Sequence, residues 1–328
     1  MGDRSRFAQL AALAEILFVL ALGNIAGVAI YEAVVSKWSA DGGISESLYA
    51  GLRITLRIGL IAAFGLVLLW FRRGVTPRDT GLTRAGKPLG YLVRVGILLG
   101  ASSSFLVGII FAVHALVPLG EGLPAWDEVR TVTRNTAFYV EMLATSIVVP
   151  PLVEEIMARG YMRVRLVESY GRIGGVVLTG LVFALAHGKF ISTDPLLAVF
   201  LVVLIVSSVS WAWIAQLTGS LIPPMIAHAI TNGFATLVLF DVWPSFAAVL
   251  ALVLWQRRPI FDAVRQFFAD WREEEAGSGL WFGVIVLIIA LAALMIGMST
   301  FGRMAALMAL GTVALVITLA NLIVEKRP

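Results

Sequence analysis

The feature that most constrains this chain is a succession of ten apolar segments, near residues 8–35, 49–71, 90–118, 137–158, 174–187, 196–217, 222–240, 242–255, 280–298 and 304–324. A helix rises 1.5 Å per residue, so a run of about 20 apolar residues crosses a hydrocarbon core of roughly 30 Å. The runs are continuous and do not alternate with period two, which points to helices and away from a barrel. Only 14% of the residues are charged and 59% are hydrophobic, against about 25% charged in soluble domains. The expected fold is all-α, a polytopic membrane helix bundle of about 8–10 transmembrane helices. The eighth segment is short, with Pro244 near its start, and reads as partial or interfacial.

The absence of cysteine excludes disulfides, thiolate metal sites and cysteine nucleophiles. The net charge of +4 comes from Lys and Arg at the ends of apolar segments, a pattern of basic loops rather than a nucleic-acid patch. Arg72, Arg73, Arg78, Arg84 and Lys87 follow the second segment, Arg163, Arg165 and Arg172 follow the fourth, and residues 256–279 add four more arginines. The positive-inside rule places these loops and both termini in the cytoplasm of a multi-pass protein of the cell membrane. The N-terminal MGDRSRF resembles the basic region of a signal peptide, but no small-residue cleavage site follows, so an uncleaved first span is expected. Residues 259–279 space Phe261, Val264, Phe267, Phe268 and Trp271 along one helical face, as in an amphipathic helix on the membrane surface. The polar loop 119–135 carries Trp126 as an interfacial anchor.

Ionisable groups in a bilayer are costly unless paired or facing a wet cavity, so each is a candidate for function. Glu154 and Glu155 are neighbours about 100° apart on a helix, whereas Glu155 and Arg159 are four apart and can pair, leaving Glu154 to face elsewhere. Phe183 and His187 share one helical face, and so do His228 and Asn232. Singly, each pair is as well explained by interfacial placement or by hydrogen bonds joining helices. Arg53 and Arg57, four apart in the second span, are expected to snorkel, line a polar cavity or neutralise Glu15 or Glu32; His114 is expected to pack.

Depth counting sharpens this. If the chain turns near Gly171, Glu154 lies 17 residues before the turn and His187 16 after it, so the two arrive at one level. The helix bearing Glu154 then continues to about Tyr170. His228 begins some 12 Å away in depth at about 1.5 Å per residue. The uncharged stretch QLTGSLIPP, residues 216–224, is therefore expected to dip into the bundle before the seventh helix starts, a late start that Pro223 and Pro224 suit.

In order, EExxxR (Glu154, Glu155, Arg159), FxxxH (Phe183 to His187) and HxxxN (His228 to Asn232) resemble the CAAX protease and bacteriocin-processing family of intramembrane endopeptidases, also called Abi. The resemblance divides the chain into N-terminal helices (1–136), a family-like catalytic core (137–242) and C-terminal helices with the amphipathic segment (243–328). It implies that Glu154 and His187 hold a water, that His228 and Asn232 stabilise the oxyanion, and that Arg159 orients Glu155. Two histidines and a glutamate are also a zinc-type ligand set, so Glu154, His187 and His228 allow either a zinc-bound water or a metal-free glutamate base. The implied partners are membrane lipid and a membrane-associated protein or peptide, prenylated in the CAAX case. A basic turn 16 residues from the site sets that site toward the face opposite the cytosol, against what a CAAX substrate needs. A transporter with a buried Glu/His site and a non-catalytic immunity or partner protein are the rival readings. No GxSG, GxGD or HExxH pattern supports other intramembrane protease classes.

Overall fold

The computed structural model describes residues 6–35, 46–76, 78–117, 136–187, 191, 194–238, 242–273 and 277–325. These form eleven helices and no strand: α1 (Arg6–Ile30), α2 (Glu46–Arg73), α3 (Leu89–Leu116), α4 (Thr136–Glu155), α5 (Arg163–Ala186), α6 (Pro195–Thr218), α7 (Ile222–Val238), α8 (Val242–Trp255), α9 (Arg257–Glu273), α10 (Gly277–Phe301) and α11 (Arg303–Glu325). Among the described residues seven stretches are long and apolar enough to cross a membrane. The longest, Ser146–Ala186, contains a reversal at Gly171, whose φ of 84° and ψ of 175° suit glycine alone. Helix α4 runs through a π-helical turn, Ile156–Met162, into the first limb of α5, making one helix to Tyr170 as the depth count requires.

The main apolar core lies where α1, α2 and the two limbs of α5 meet, around Leu13, Ile61, Met162, Leu166, Leu178 and Phe183. Helix α3 approaches α7 through Gly96 and Gly100: a Cβ on the first would stand 2.9 Å from the Pro223 carbonyl oxygen, and on the second 3.0 Å from Cα of Ala227. Lipid offers no hydrophobic drive between helices, so such small-xxx-small contacts hold them by close packing. The spacing GILLG displays this in the sequence.

Several basic segments gather at one end of the bundle. There the Tyr170 hydroxyl donates to the Gln9 carbonyl at 2.7 Å, and Arg172 meets Asp270 of α9 at 3.1 Å. Glu15, buried at 1% exposure, accepts from Arg72, from Arg165 at 2.9 Å and from Tyr161 at 3.4 Å. Of the roles expected for Arg57, this removes the pairing with Glu15. Helices α1 and α2 are antiparallel, so Arg57 packs level with Gly27, twelve residues or about 18 Å along α1 from Glu15. The Arg53 side chain and the loop with Trp126 lie outside the described residues. His114 is half-buried near the end of α3.

Helix α9 departs from a simple surface helix. Phe267 and Trp271 pack on Ile173, Val176 and Trp213, and Asp270 is buried beside Arg172, while Phe261, Val264 and Phe268 stay exposed. Its apolar residues thus divide between a face clamped to the bundle and a face left outward.

The turn between α6 and α7 dips as the depth conflict demanded. Thr218, Ser220 and Leu221 are buried, the Leu221 N–H donates to the Gly81 carbonyl at 2.8 Å, and a Leu221 methyl lies 3.5 Å from the Cβ position of Gly160. Gly160 precedes Gly171 by eleven residues, so this turn sits about 16 Å nearer the site than the Gly171 reversal does. His228 is then seven residues up α7 from Leu221, and Glu154 six residues back from Gly160.

Candidate active site

Helix α4 carries two consecutive prolines, Pro150 and Pro151, just before its glutamates. A proline has no N–H for the carbonyl four residues back, so Pro150 leaves the Ser146 carbonyl without its helical donor. Asn232 supplies it: Nδ2 donates to Ser146 O at 3.0 Å, tying α7 to α4. One turn earlier on α7, His228 reaches the glutamates.

Beyond Glu155 the helix widens into the π turn, a device common at functional sites. The Arg163 Nε donates to the Arg159 carbonyl at 2.8 Å within it, and an Arg163 amine reaches Gln216 of α6. Arg159 is fully buried. Its Nη1 donates to Glu155 Oε1 at 2.9 Å, and its Nη2 to the Ser208 carbonyl at 3.0 Å and hydroxyl at 2.6 Å. The guanidinium is flanked by Phe183, with its centroid at 4.5 Å, and Trp211, at 5.3 Å. Burial of such a charge is strongly unfavourable without partners, and here an ion pair, two oxygens and two aromatic faces offset it.

The histidines complete the cluster. His228 is buried, and its Nδ1 lies 2.8 Å from Glu155 Oε1. His187, at the end of α5, has its Nδ1 2.9 Å from the Phe183 carbonyl. A carboxylate and a carbonyl only accept, so both Nδ1 atoms carry the hydrogen. Both Nε2 atoms are then turned to the same place: each is 3.8 Å from Glu154 Oε2. That oxygen is buried and has no hydrogen-bond partner among the described residues. The Glu154 side chain is 9% exposed and that of His187 29%, so the cluster meets its surroundings on the His187 side.

The structure therefore brings together Glu154, Glu155, Arg159, Phe183, His187 and His228, and places Asn232 one turn away with its amide on Ser146. The sequence reading missed Ser208 and Trp211. The Trp211 ring lies 5.0 Å from that of His228, and its Nε1 donates to Ser103 at 2.9 Å. The available signal was small polar residues inside apolar spans, SSVSW in α6 and ASSSF in α3.

The donor types suit zinc, but the spacing does not. Ligands placed tetrahedrally at about 2.0–2.1 Å stand roughly 3.4 Å apart, and the 3.8 Å separations exceed that. Among the described residues no group of three His, Asp or Glu side chains is placed to hold a metal ion.

No curated protein and no solved structure matches the chain. Residues 136–234 match the Rce1-like family, described as type II CAAX prenyl endopeptidase Rce1-like, over about a third of the chain. This match spans all three motifs and so bears out the resemblance they carried: residues 136–234 are similar to the Rce1-like family.

Proposed function

We propose that this protein is an intramembrane endopeptidase acting on a membrane-associated, CAAX-type protein or peptide, and that Glu154 is the base that activates water. The carrying observation is the convergence of Glu154 Oε2 with the Nε2 atoms of His187 and His228, at 3.8 Å each. A carboxylate oxygen facing two acceptor nitrogens at 3.8 Å is repelled by each unless something with donor hydrogens or positive charge stands between them. A water 2.8 Å from two atoms 3.8 Å apart subtends about 85°, an ordinary hydrogen-bond geometry.

Glu154 takes one proton from this water as its oxygen attacks the scissile carbonyl carbon, while His187 Nε2 accepts the other hydrogen and fixes the lone pair's direction. The tetrahedral oxyanion needs donors aimed where its charge develops. His228 supplies one when protonated on both nitrogens, with Nδ1–H on Glu155 and Nε2–H on the oxyanion. In that state Glu154 holds the water's proton, so Glu155, Arg159, His228 and the oxyanion sum to zero charge, which a buried cluster favours. Asn232 donates to Ser146, and by the resemblance we also assign its side chain to the oxyanion, which it would meet on rearranging when substrate binds. Collapse breaks the C–N bond, and the proton held on Glu154 passes to the leaving amine.

The cluster opens on the side of His187, at the end of α5 away from the Gly171 reversal, and the buried α6–α7 turn is packed against Gly160 on the basic side, so the peptide is taken to enter on the His187 side.

The test is cleavage of a farnesylated CAAX peptide and its unprenylated counterpart by detergent-purified protein, followed by mass spectrometry. The wild type is expected to cleave, and Glu154→Gln and His187→Ala to lose cleavage; equal activity in all three overturns the assignment. Cleavage that persists after chelation, in protein free of zinc by metal analysis, supports the glutamate base. Loss on chelation with recovery on zinc addition overturns it.

A further inference from the structure

Away from the catalytic cluster, a groove of about 480 Å³ separates the start of α3 from the end of α8. Val93, Ile97, Leu98 and Leu252 wall it, and Arg94 and Gln256 are its polar side chains. Pockets of this size are ligand-sized. Arg94 lies five residues inside the candidate span Leu89–His114 and is exposed. Among the described residues it has no hydrogen-bond or ion-pair partner. An arginine at that depth ordinarily pairs, faces a water-filled cavity or reaches for the headgroups. Gln256 is 9% exposed and also lacks a side-chain partner among the described residues.

The nearest charges along the chain are mostly basic: Lys87 lies two residues before α3, and Arg257 and Arg258 open α9 directly after Gln256, with Asp262 one turn further on. Trp255, 78% exposed at the rim, is of the type that sits at headgroup level. Apolar walls, a guanidinium and an amide in the lining, and basic neighbours together match an acyl chain joined to a phosphate.

We propose that the α3–α8 groove binds an anionic glycerophospholipid of the surrounding bilayer, with its phosphate on Arg94 and Gln256 and an acyl chain along Val93, Ile97 and Leu252. The inference stands apart from the catalytic reading. It bears on it through one contact, because α3 also holds α7 through Gly96 and Gly100. A lipid seated on α3 braces the helix that carries His228.

The test compares thermal unfolding of the full chain in phosphatidylcholine nanodiscs with and without phosphatidylglycerol, with native mass spectrometry of retained lipid. The wild type is expected to unfold roughly 2–4 °C higher with phosphatidylglycerol and to retain it. Arg94→Gln is expected to lose both the shift and the retained lipid. Gly90→Leu, whose added side chain points into open space at the groove, is expected to lose them by occupancy and decides the matter if Arg94→Gln does not fold. Arg265→Gln, a charge loss at a side chain 82% exposed on α9, is expected to keep both. No shift in the wild type, or an equal shift in Arg94→Gln, overturns the proposal. So does the same shift from soluble glycerol phosphate added to phosphatidylcholine nanodiscs, which would make a free phosphate compound the ligand.

Discussion

The bundle buries two clusters of carboxylates with arginines, one around Glu15 and one around Glu154 and Glu155, and they are finished differently. At Glu15 both oxygens accept: Oε2 from Arg72 and Arg165, Oε1 from Tyr161. At the second cluster Glu155 Oε1 is shared by Arg159 and His228, while Glu155 Oε2 and Glu154 Oε2 have no partner among the described residues. The first arrangement holds the N-terminal helix to the α4–α5 hairpin and leaves its carboxylate no acceptor capacity pointed outward. The second keeps a carboxylate lone pair in reserve beside two imidazoles. A buried polar group left without a partner costs roughly 1–3 kcal/mol, and a fold keeps such an expense where a ligand or reactant completes the set. Charge burial alone thus does not mark a reactive site; what sets the second cluster apart is a buried carboxylate oxygen left open beside two imidazoles.

The largest effect that sharpens this contrast is on catalysis. Glu154→Gln keeps the shape and removes the base, so cleavage is expected to fall by about 10²–10⁴-fold, with the unfolding midpoint held or raised because an unpartnered charge has gone. A variant that keeps its activity breaks the contrast at once. Glu15→Ala tests the other half. It takes Glu15 from Arg72 and Arg165, of which Arg165 keeps Glu168 at 3.6 Å, and removing one partner of a buried ion pair costs about 3–5 kcal/mol. Chemical denaturation should register that loss, while the activity per folded molecule should stay near wild type. Activity lost in proportion to Glu154→Gln would make both clusters catalytic.

A third variant asks whether the reactive cluster depends on exact helix placement. Gly100→Leu puts a side chain where Ala227 Cα stands, one residue from His228. The α3–α7 contact must open, and a displacement of about 1 Å at reacting groups can cost some 10²-fold in rate. The fall should appear in kcat more than in KM, read with the same peptide assay. The Glu15 cluster lies on α1, α2 and α5, so the Arg72–Glu15 contact should be insensitive to this change.

Much of this was legible in the residues. Helical pairing by i and i+4 identified Glu155 with Arg159, and the depth count placed Glu154 level with His187, because both rest on periodicities local to one chain segment. The count also exposed the conflict at His228 and located the dip that resolves it. The partners of Glu15 were not legible: Arg72 is 57 and Arg165 150 residues away, and only the antiparallel arrangement of α1 against α2, with the fold-back at Gly171, selects them over Arg57. Ser208 and Trp211 were missed because serines in an apolar span carry no direction by themselves. The division of α9 between two faces was missed for a related reason, since a helical wheel reports an apolar arc but not how much of that arc the bundle covers.

Asn232 shows where a motif hides two roles in one residue, and it sets the finest of these tests. Its amide donates to the carbonyl that Pro150 leaves without a helical donor, so Asn232→Ala removes a structural bond as well as the proposed oxyanion donor. The structural part should cost about 1 kcal/mol, the low end for an orphaned carbonyl, because Ser146 is only half-buried. Pro150→Ala restores an N–H four residues past Ser146 and should remove most of that penalty in the double variant, because the helix then satisfies itself. The two roles separate in this background. If Asn232 serves only to dock α7 on α4, the double variant regains both its unfolding midpoint and its cleavage rate. If its side chain also meets the oxyanion, the midpoint recovers and the rate stays low by about 10²–10³-fold, the usual effect of losing one such donor. The second outcome is the expected one, and recovery of both would reduce the HxxxN motif to one reacting residue, His228, and one structural one.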